Sequence, residues 1–178
     1  GSSSSIVNLT ANTSWTSNHK MTGNSWLAYK LVHNNEVWTQ GIPQVRVKVQ
    51  GRKIYDPRLD GGGVGGGSGS HRYDDDTTWA FSNNSALCVL DFLLNGMSVD
   101  PSDIDMAAIR AAADICDENV NVVLANGSAS TQKRYTTNGV SFLNDEVIAT
   151  LEQLLVPCHG TLVEEAGVLR LLVPKDSS

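Results

Sequence analysis

DGGGVGGGSGSHRYDDDTTW, residues 60–79, is the stretch that decides how this chain is divided. Its glycines run into His71 and three consecutive aspartates, Asp74, Asp75 and Asp76. A phosphate-cradling loop needs G-x-x-x-x-G-K-[ST], with a lysine reaching the phosphates and a helix pointing its N–H groups at them. Here there is no lysine, the run follows Asp56-Pro57-Arg58 instead of a buried parallel strand, and it opens into acidic residues. A dinucleotide fingerprint fails as well, because no βαβ unit surrounds the glycines. Backbone freedom makes such a run a flexible connection by default. Side chains of adjacent residues diverge along an extended chain, so the three aspartates cannot all face one ion. The calcium-loop pattern D-x-[DN]-x-[DN]-G is absent. His71 with Asp74–Asp76 therefore reads as a solvated acidic turn and not as a metal site.

Upstream of the glycines the pattern is β. WLAYKLV, residues 26–32, puts Leu27, Tyr29 and Leu31 on one face. VRVKVQGRKIYDP puts Val45, Val47 and Val49 opposite Arg46, Lys48 and Gln50, and Gly51 turns the chain so that residues 52–55 return as a short strand. Downstream the period changes to that of a helix. Ala86, Leu87, Leu90, Leu93 and Leu94 form one stripe, ended by Asn95-Gly96. Asp100-Pro101-Ser102-Asp103 is a helix start, and the helix it opens presents Ile104, Ala108, Ala111, Ala112, Ile115 and Cys116.

Residues 119–133 read as a loop and RYTTNGV, residues 134–140, as a strand. Asn144 caps a third helix with Val147, Ile148, Leu151, Leu154 and Leu155 on its buried face. His159-Gly160 ends that helix, the glycine supplying a left-handed cap. TLVEEAGVLRLLVP reads as two strands about a Glu165-Ala166-Gly167 turn. The expectation is an α+β fold. It has strands near 26–32, 45–49 and 52–55, helices near 84–95, 101–118 and 144–157, and a C-terminal β-α-β-β unit ending in a hairpin. In domain terms, residues 1–18 are a cloning remnant, GSSSS, and a weakly structured segment. Residues 19–59 are a β unit, 60–78 a flexible linker, and 79–174 an α+β subdomain. The GSSSS start and KDSS end read as those of a piece excised from a longer protein.

A net charge of −6, with 13 Lys and Arg scattered along the chain, argues against nucleic acid as the main partner. No segment approaches the roughly 18 apolar residues of a membrane span. Cys88, Cys116 and Cys158 have no C-x-x-C spacing and no histidine at metal spacing, and read as buried free thiols. His19, His33 and His159 stand alone, no G-x-S-x-G elbow anchors a triad, and Glu146 and Glu152 read as a solvated helix face. The expectation is therefore no catalytic residues, no cofactor and no metal, and a protein that is not an enzyme.

The ordered set of segments resembles the hub region of phage tail tip attachment proteins, the lambda-type J family. HKMTGNSWLAYKLV and GIPQVRVKVQGRKIYDPR come first. Trp79, Ser82, Asn84, Ala86, Leu87, Leu90, Asp91 and Leu93 match W-x-x-S-x-N-x-A-L-x-x-L-D-x-L. The next helix matches at Asp103-Ile104-Asp105, Ala112-Ala113-Asp114 and Cys116-Asp117-Glu118. Arg134, Tyr135, Asn138, Gly139 and Val140 match R-Y-x-x-N-G-V. Leu151, Glu152, Leu154, Leu155, Cys158, Gly160, Leu162 and Val163 precede the final hairpin. The likeness covers residues 19–174. It departs at Ser85, where a proline is expected, in a shorter segment after Gly96 and in a longer one over 119–133.

The resemblance implies a structural part of the virion tail tip, made in the bacterial cytoplasm. It implies a homotrimer that caps the tail tube, contacts other tail tip and tube proteins, and lets phage DNA pass. An acidic surface suits a DNA conduit. Two other classes compete. One is a carbohydrate- or protein-binding module using Trp15, Trp38 and Trp79 as contacts. The other is a cell-wall hydrolase, for which the sequence offers neither paired carboxylates nor a zinc set.

Overall fold

Asn84 opens the helix around which the rest is arranged. Its side-chain oxygen accepts from the N–H groups of Ala86 and Leu87 at 3.1 and 3.3 Å, capping α1 (Ser85–Asp91). Its amide nitrogen donates to the Ala113 carbonyl at 2.8 Å, which ties α1 to α2 (Met106–Asp117). Ser85, Ala86, Leu87, Val89 and Leu90 are all buried, so α1 is covered except along the side of Cys88 and Asp91, which are half-buried. α2 and α3 (Val147–Leu155) pack against it. Each leucine buried in this way contributes about 2 kcal/mol relative to exposure in water.

The computed structural model describes residues 46–141 and 144–175, and Val49–Ser178 forms one compact unit. The strand expected over 26–32 lies outside the described residues. Residues 46–50 form no strand. The short strand near 52–55 is present as β1 (Lys53–Ile54), but its partner is β2 (Ala80–Phe81), antiparallel, with Lys53 opposite Phe81. Between them the glycine-rich stretch closes on itself through an antiparallel bridge from Asp60 to Ser70. That closure brings residue 80 beside residue 54. The boundary expected at residues 60–78 is therefore not one between two bodies, because residues 49–59 and 79–174 share one unit.

Asn95-Gly96 does not end α1 with a left-handed cap. The helix widens over Phe92–Gly96, and the Met97 N–H reaches back to the Phe92 carbonyl at 2.9 Å. A Cβ at Gly96 would lie 2.6 Å from the Phe92 ring, so close packing selects glycine there. Asp100 caps only a short 3-10 turn, Pro101–Asp103, by accepting from Ser102 N–H at 2.9 Å. Asp105 then caps α2 by accepting from Ala108 N–H at 2.9 Å. The face that α2 buries against α1 and the last strand, Val168–Leu172, also differs from the expected stripe. Its buried residues are Ile109, Ala112, Ala113 and Cys116, while Ala111 is exposed. Ile104, outside the helix, bridges in parallel to Leu169.

Residues 119–133 are not a loop. They form a hairpin, β3 (Asn119–Val123) and β4 (Ala129–Lys133), paired from Asn119 with Lys133 to Val123 with Ala129. Gly127, at φ +82°, makes the turn. Residues 134–140 make no strand beyond a single bridge from Thr136 to Asn84.

α3 begins later than expected. Glu146, not Asn144, stands before its first residue, and the Thr150 hydroxyl donates to the Glu146 carbonyl at 3.0 Å. Thr150 and Leu151 are buried, whereas Val147 and Ile148 are exposed. A 3-10 turn, Val156–Cys158, ends the helix. His159 itself takes the left-handed conformation, φ +49°, that was expected of Gly160. Gly160 serves packing instead, because a Cβ there would lie 3.0 Å from Cys158 Sγ and 3.3 Å from Leu171. The chain finishes in β5 (Thr161–Glu165) and β6 (Val168–Leu172), joined through Ala166 and Gly167 at φ +54° and +83°. Among the described residues the fold is α+β: three helices with small antiparallel strand pairs.

Candidate functional site

The glycine loop is held by a carboxylate of its own chain. Asp60 is buried and accepts from the Tyr55 hydroxyl and the Gly62 N–H, with the Gly65 N–H and the Arg72 guanidinium also acting on it. Backbone N–H groups of the kind that cradle a phosphate are thus already engaged by an internal anion. Burial acts to raise the Asp60 pKa, but these donors outweigh it and hold it below the ordinary carboxylate range. The tyrosine responds in the opposite direction: burial and the neighbouring carboxylate push its hydroxyl well above its usual value.

The glycines are needed for approach, not only for freedom. A Cβ at Gly65 would lie 2.5 Å from the Pro57 carbonyl oxygen, and one at Gly67 would lie 2.2 Å from that of Arg58. The loop is tied to α2 through Arg110, which donates to the Gly66 carbonyl. Arg58 adds a second tie. It forks onto Asp56 at 2.7 and 3.0 Å and reaches Asp114 at 3.1 Å and Asp117 at 2.9 Å.

The other residues weighed in sequence fall apart spatially or into structural roles. His71 is buried and its Nδ1 accepts from the Asp56 N–H at 3.2 Å. Asp74, Asp75 and Asp76 are exposed, and Asp75 caps the turn Asp76–Thr78. Among the described residues no group of three or more histidine, cysteine or acidic side chains is placed to hold a metal ion. Trp79 is buried against Tyr55, with ring centroids 5.9 Å apart, and its indole N–H donates to the Arg72 carbonyl at 2.8 Å. It is therefore not an exposed contact. Trp15, Trp38, His19 and His33 lie outside the described residues. His159 stacks edge-on to Tyr135 at 6.2 Å.

What the sequence did not single out is a groove of about 530 Å³ beside α1. Arg52 before β1, Ile54 in β1 and Phe81 in β2 line one side, α1 supplies Cys88 and Asp91 and the widened turn after it Phe92, and residues 137–141 with α3 close the other side. Asp91 accepts from the Asn95 amide at 2.9 Å and pairs with Arg52 at 3.6 Å. Burial raises the Asp91 pKa, with Arg52 and Asn95 pulling it back in part. Burial and the charges of Asp91 and Cys158 push the Cys88 thiol up to about 11, so it is protonated at neutral pH and a poor nucleophile. The groove offers apolar walls and one ion pair at its rim, chemistry suited to contact and not to proton transfer. Arg52 and Asp91 meet only through tertiary packing, so no spacing could have paired them.

In comparisons with known proteins, no protein-family model matches this chain and no curated protein matches it. Among the described residues no helix is long and apolar enough to cross a membrane.

Proposed function

We propose that this chain is a structural segment of a phage tail tip hub, acting by assembly and not by catalysis. The observation that carries the reading is where the residues of the resemblance lie. Ala86, Leu87, Leu90 and Leu93 from the first motif, Ala112, Ala113 and Cys116 from the second, and Leu151 and Cys158 from the last all fall in one buried cluster. The segments of the resemblance thus build one core together.

The surface supports an assembling role. The β3–β4 ribbon is largely exposed on both faces, with Val123 and Leu124 exposed at its tip. Unpartnered apolar strand residues of this kind suit contact with neighbouring subunits. In this reading the full-length protein is a homotrimer that closes the tail tube and joins it to the host-recognition tip. Trp79, one of the three aromatic contacts that a carbohydrate-binding module would use, is buried, which weighs against that alternative.

Immunogold labelling of tailed particles with antibody raised against this chain tests the reading. Label at the distal end of the tail is expected. Label confined to the capsid or the host surface would sink it.

A further inference from the structure

We propose that Asn138-Gly139 is a modification site, at which the chain itself converts asparagine to aspartate and isoaspartate with water as the only co-reactant. Asparagine followed by glycine is the pair most open to this reaction, because glycine has no side chain to block the approach of its nitrogen to the carboxamide carbon. The chain holds three such pairs, Asn95-Gly96, Asn126-Gly127 and Asn138-Gly139, and all six residues are exposed. Residue type ranks the three equally, and the fold separates them. The proposal is independent of the tail-hub reading.

Asn95 and Gly96 lie in the widened helical turn Phe92–Gly96. A helical side chain points back toward the helix start, away from the next nitrogen, and the Asn95 amide is held there by Asp91 at 2.9 Å. Asn126 is held twice in the turn between β3 and β4. The Gly127 N–H donates to the Leu124 carbonyl at 2.8 Å, and the Asn126 side-chain oxygen accepts from the Ser128 N–H at 3.0 Å. At the third pair, neither the Asn138 carboxamide nor the Gly139 N–H has a hydrogen-bond partner among the described residues. The chain is anchored just before it. The Thr137 N–H donates to the Asn83 carbonyl and the Thr137 hydroxyl to that of Ser85, each at 2.8 Å. Beyond that anchor residues 138–141 are exposed, and a Cβ at Gly139 would meet nothing within 4 Å beyond its chain neighbours. The backbone there is free to bring the Gly139 nitrogen onto the Asn138 carboxamide carbon.

The step balances with one water. The Gly139 nitrogen loses its proton to hydroxide and attacks Asn138 Cγ. The bond from Cγ to the amide nitrogen breaks, that nitrogen leaves as ammonia with a proton from solvent, and a cyclic imide remains. Water then adds to the imide. Breaking the ring at Cγ restores the ordinary peptide bond and leaves aspartate. Breaking it at the main-chain carbonyl leaves isoaspartate, with the chain running through Cβ. In sum, one carboxamide and one water give one carboxylate and one ammonium ion. Asn138 lines the same groove as Arg52 and Asp91, so the product adds a carboxylate to its wall and tips that ion pair toward negative charge.

The test incubates the folded chain at mildly alkaline pH and maps it at intervals by peptide mass spectrometry, beside a sample unfolded in urea. In the folded chain Asn138 should convert first, giving separable aspartate and isoaspartate peptides. Asn95 and Asn126 should lag by about tenfold, since at least one hydrogen bond must open before either can react. In urea the three pairs should react at similar rates. Gly139→Ala adds a methyl at the attacking residue, into open space, and should slow Asn138 while leaving Asn126 unchanged. The proposal is overturned if Asn95 or Asn126 converts first in the folded chain, or if all three keep pace there as in urea. It is also overturned if Asn138 stays intact while the urea sample converts, or if Gly139→Ala leaves the Asn138 rate unchanged.

Discussion

The Tyr55 hydroxyl donates to the Asp60 carboxylate across the turn Pro57–Leu59, and both side chains are fully buried. This one bond decides what the glycine-rich stretch is. Asp60 begins the loop, bridges to Ser70 at its far end and gathers the Gly62 N–H, while Tyr55 anchors it against Tyr73 and Trp79. The loop is a packed part of the domain.

Tyr55→Phe should destabilise the domain by about 2 kcal/mol, because it leaves a buried carboxylate short of a donor. Urea unfolding at neutral pH measures it. Asp60 also carries a pH signature. Its folded-state pKa is lowered, so it adds stability above its unfolded value and loses it as pH falls through the folded one. The urea midpoint should therefore drop between about pH 5 and pH 2, and less steeply in Asp60→Asn. An equal slope in both proteins would remove Asp60 from the account.

Gly65→Ala and Gly67→Ala should each cost about 2 kcal/mol or more, since the added methyl meets fixed backbone carbonyls. Gly139→Ala meets nothing within 4 Å and should stay within about 0.5 kcal/mol of the parent. Thermal melts of the three variants side by side check this. If all three behave alike, the loop is not packed as described.

Asp91 should titrate above the ordinary carboxylate range when its side-chain carboxyl is followed by NMR. Its raised folded-state pKa means that its contribution to stability is present below the unfolded value and lost as pH rises through the folded one. Arg52→Gln removes the cation at 3.6 Å and should shift the titration higher still. An unmoved curve in that variant would show the pair to be without electrostatic effect, as is common for ion pairs with one exposed partner.

Much of the fold was legible because it is local. The stripe from Ala86 to Leu94 and the turn at Ala166-Gly167 depend on residues within a few positions, where a repeat of 3.6 or a turn dipeptide is decisive. Boundaries were less so. Asp100 and Asp105 are both competent caps, and the Ile104–Leu169 bridge, a long-range contact, leaves the helix to begin after Asp105. The β3–β4 hairpin was missed although Asn119–Val122 alternates polar with apolar, because the returning strand Ala129–Lys133 is polar nearly throughout and carries no apolar face of its own.

The sequence by itself determined the α+β class, the stripe of the first helix, the final hairpin and the lack of a phosphate-loop or metal-loop motif in the glycine stretch, all of which rest on residue type and short spacing. Tertiary structure alone decided that residues 60–79 close into a packed loop and that Arg52 meets Asp91 beside a groove. The reason is physical. A glycine run permits many conformations, and only partners outside it, Tyr55 and Arg110 here, select one of them.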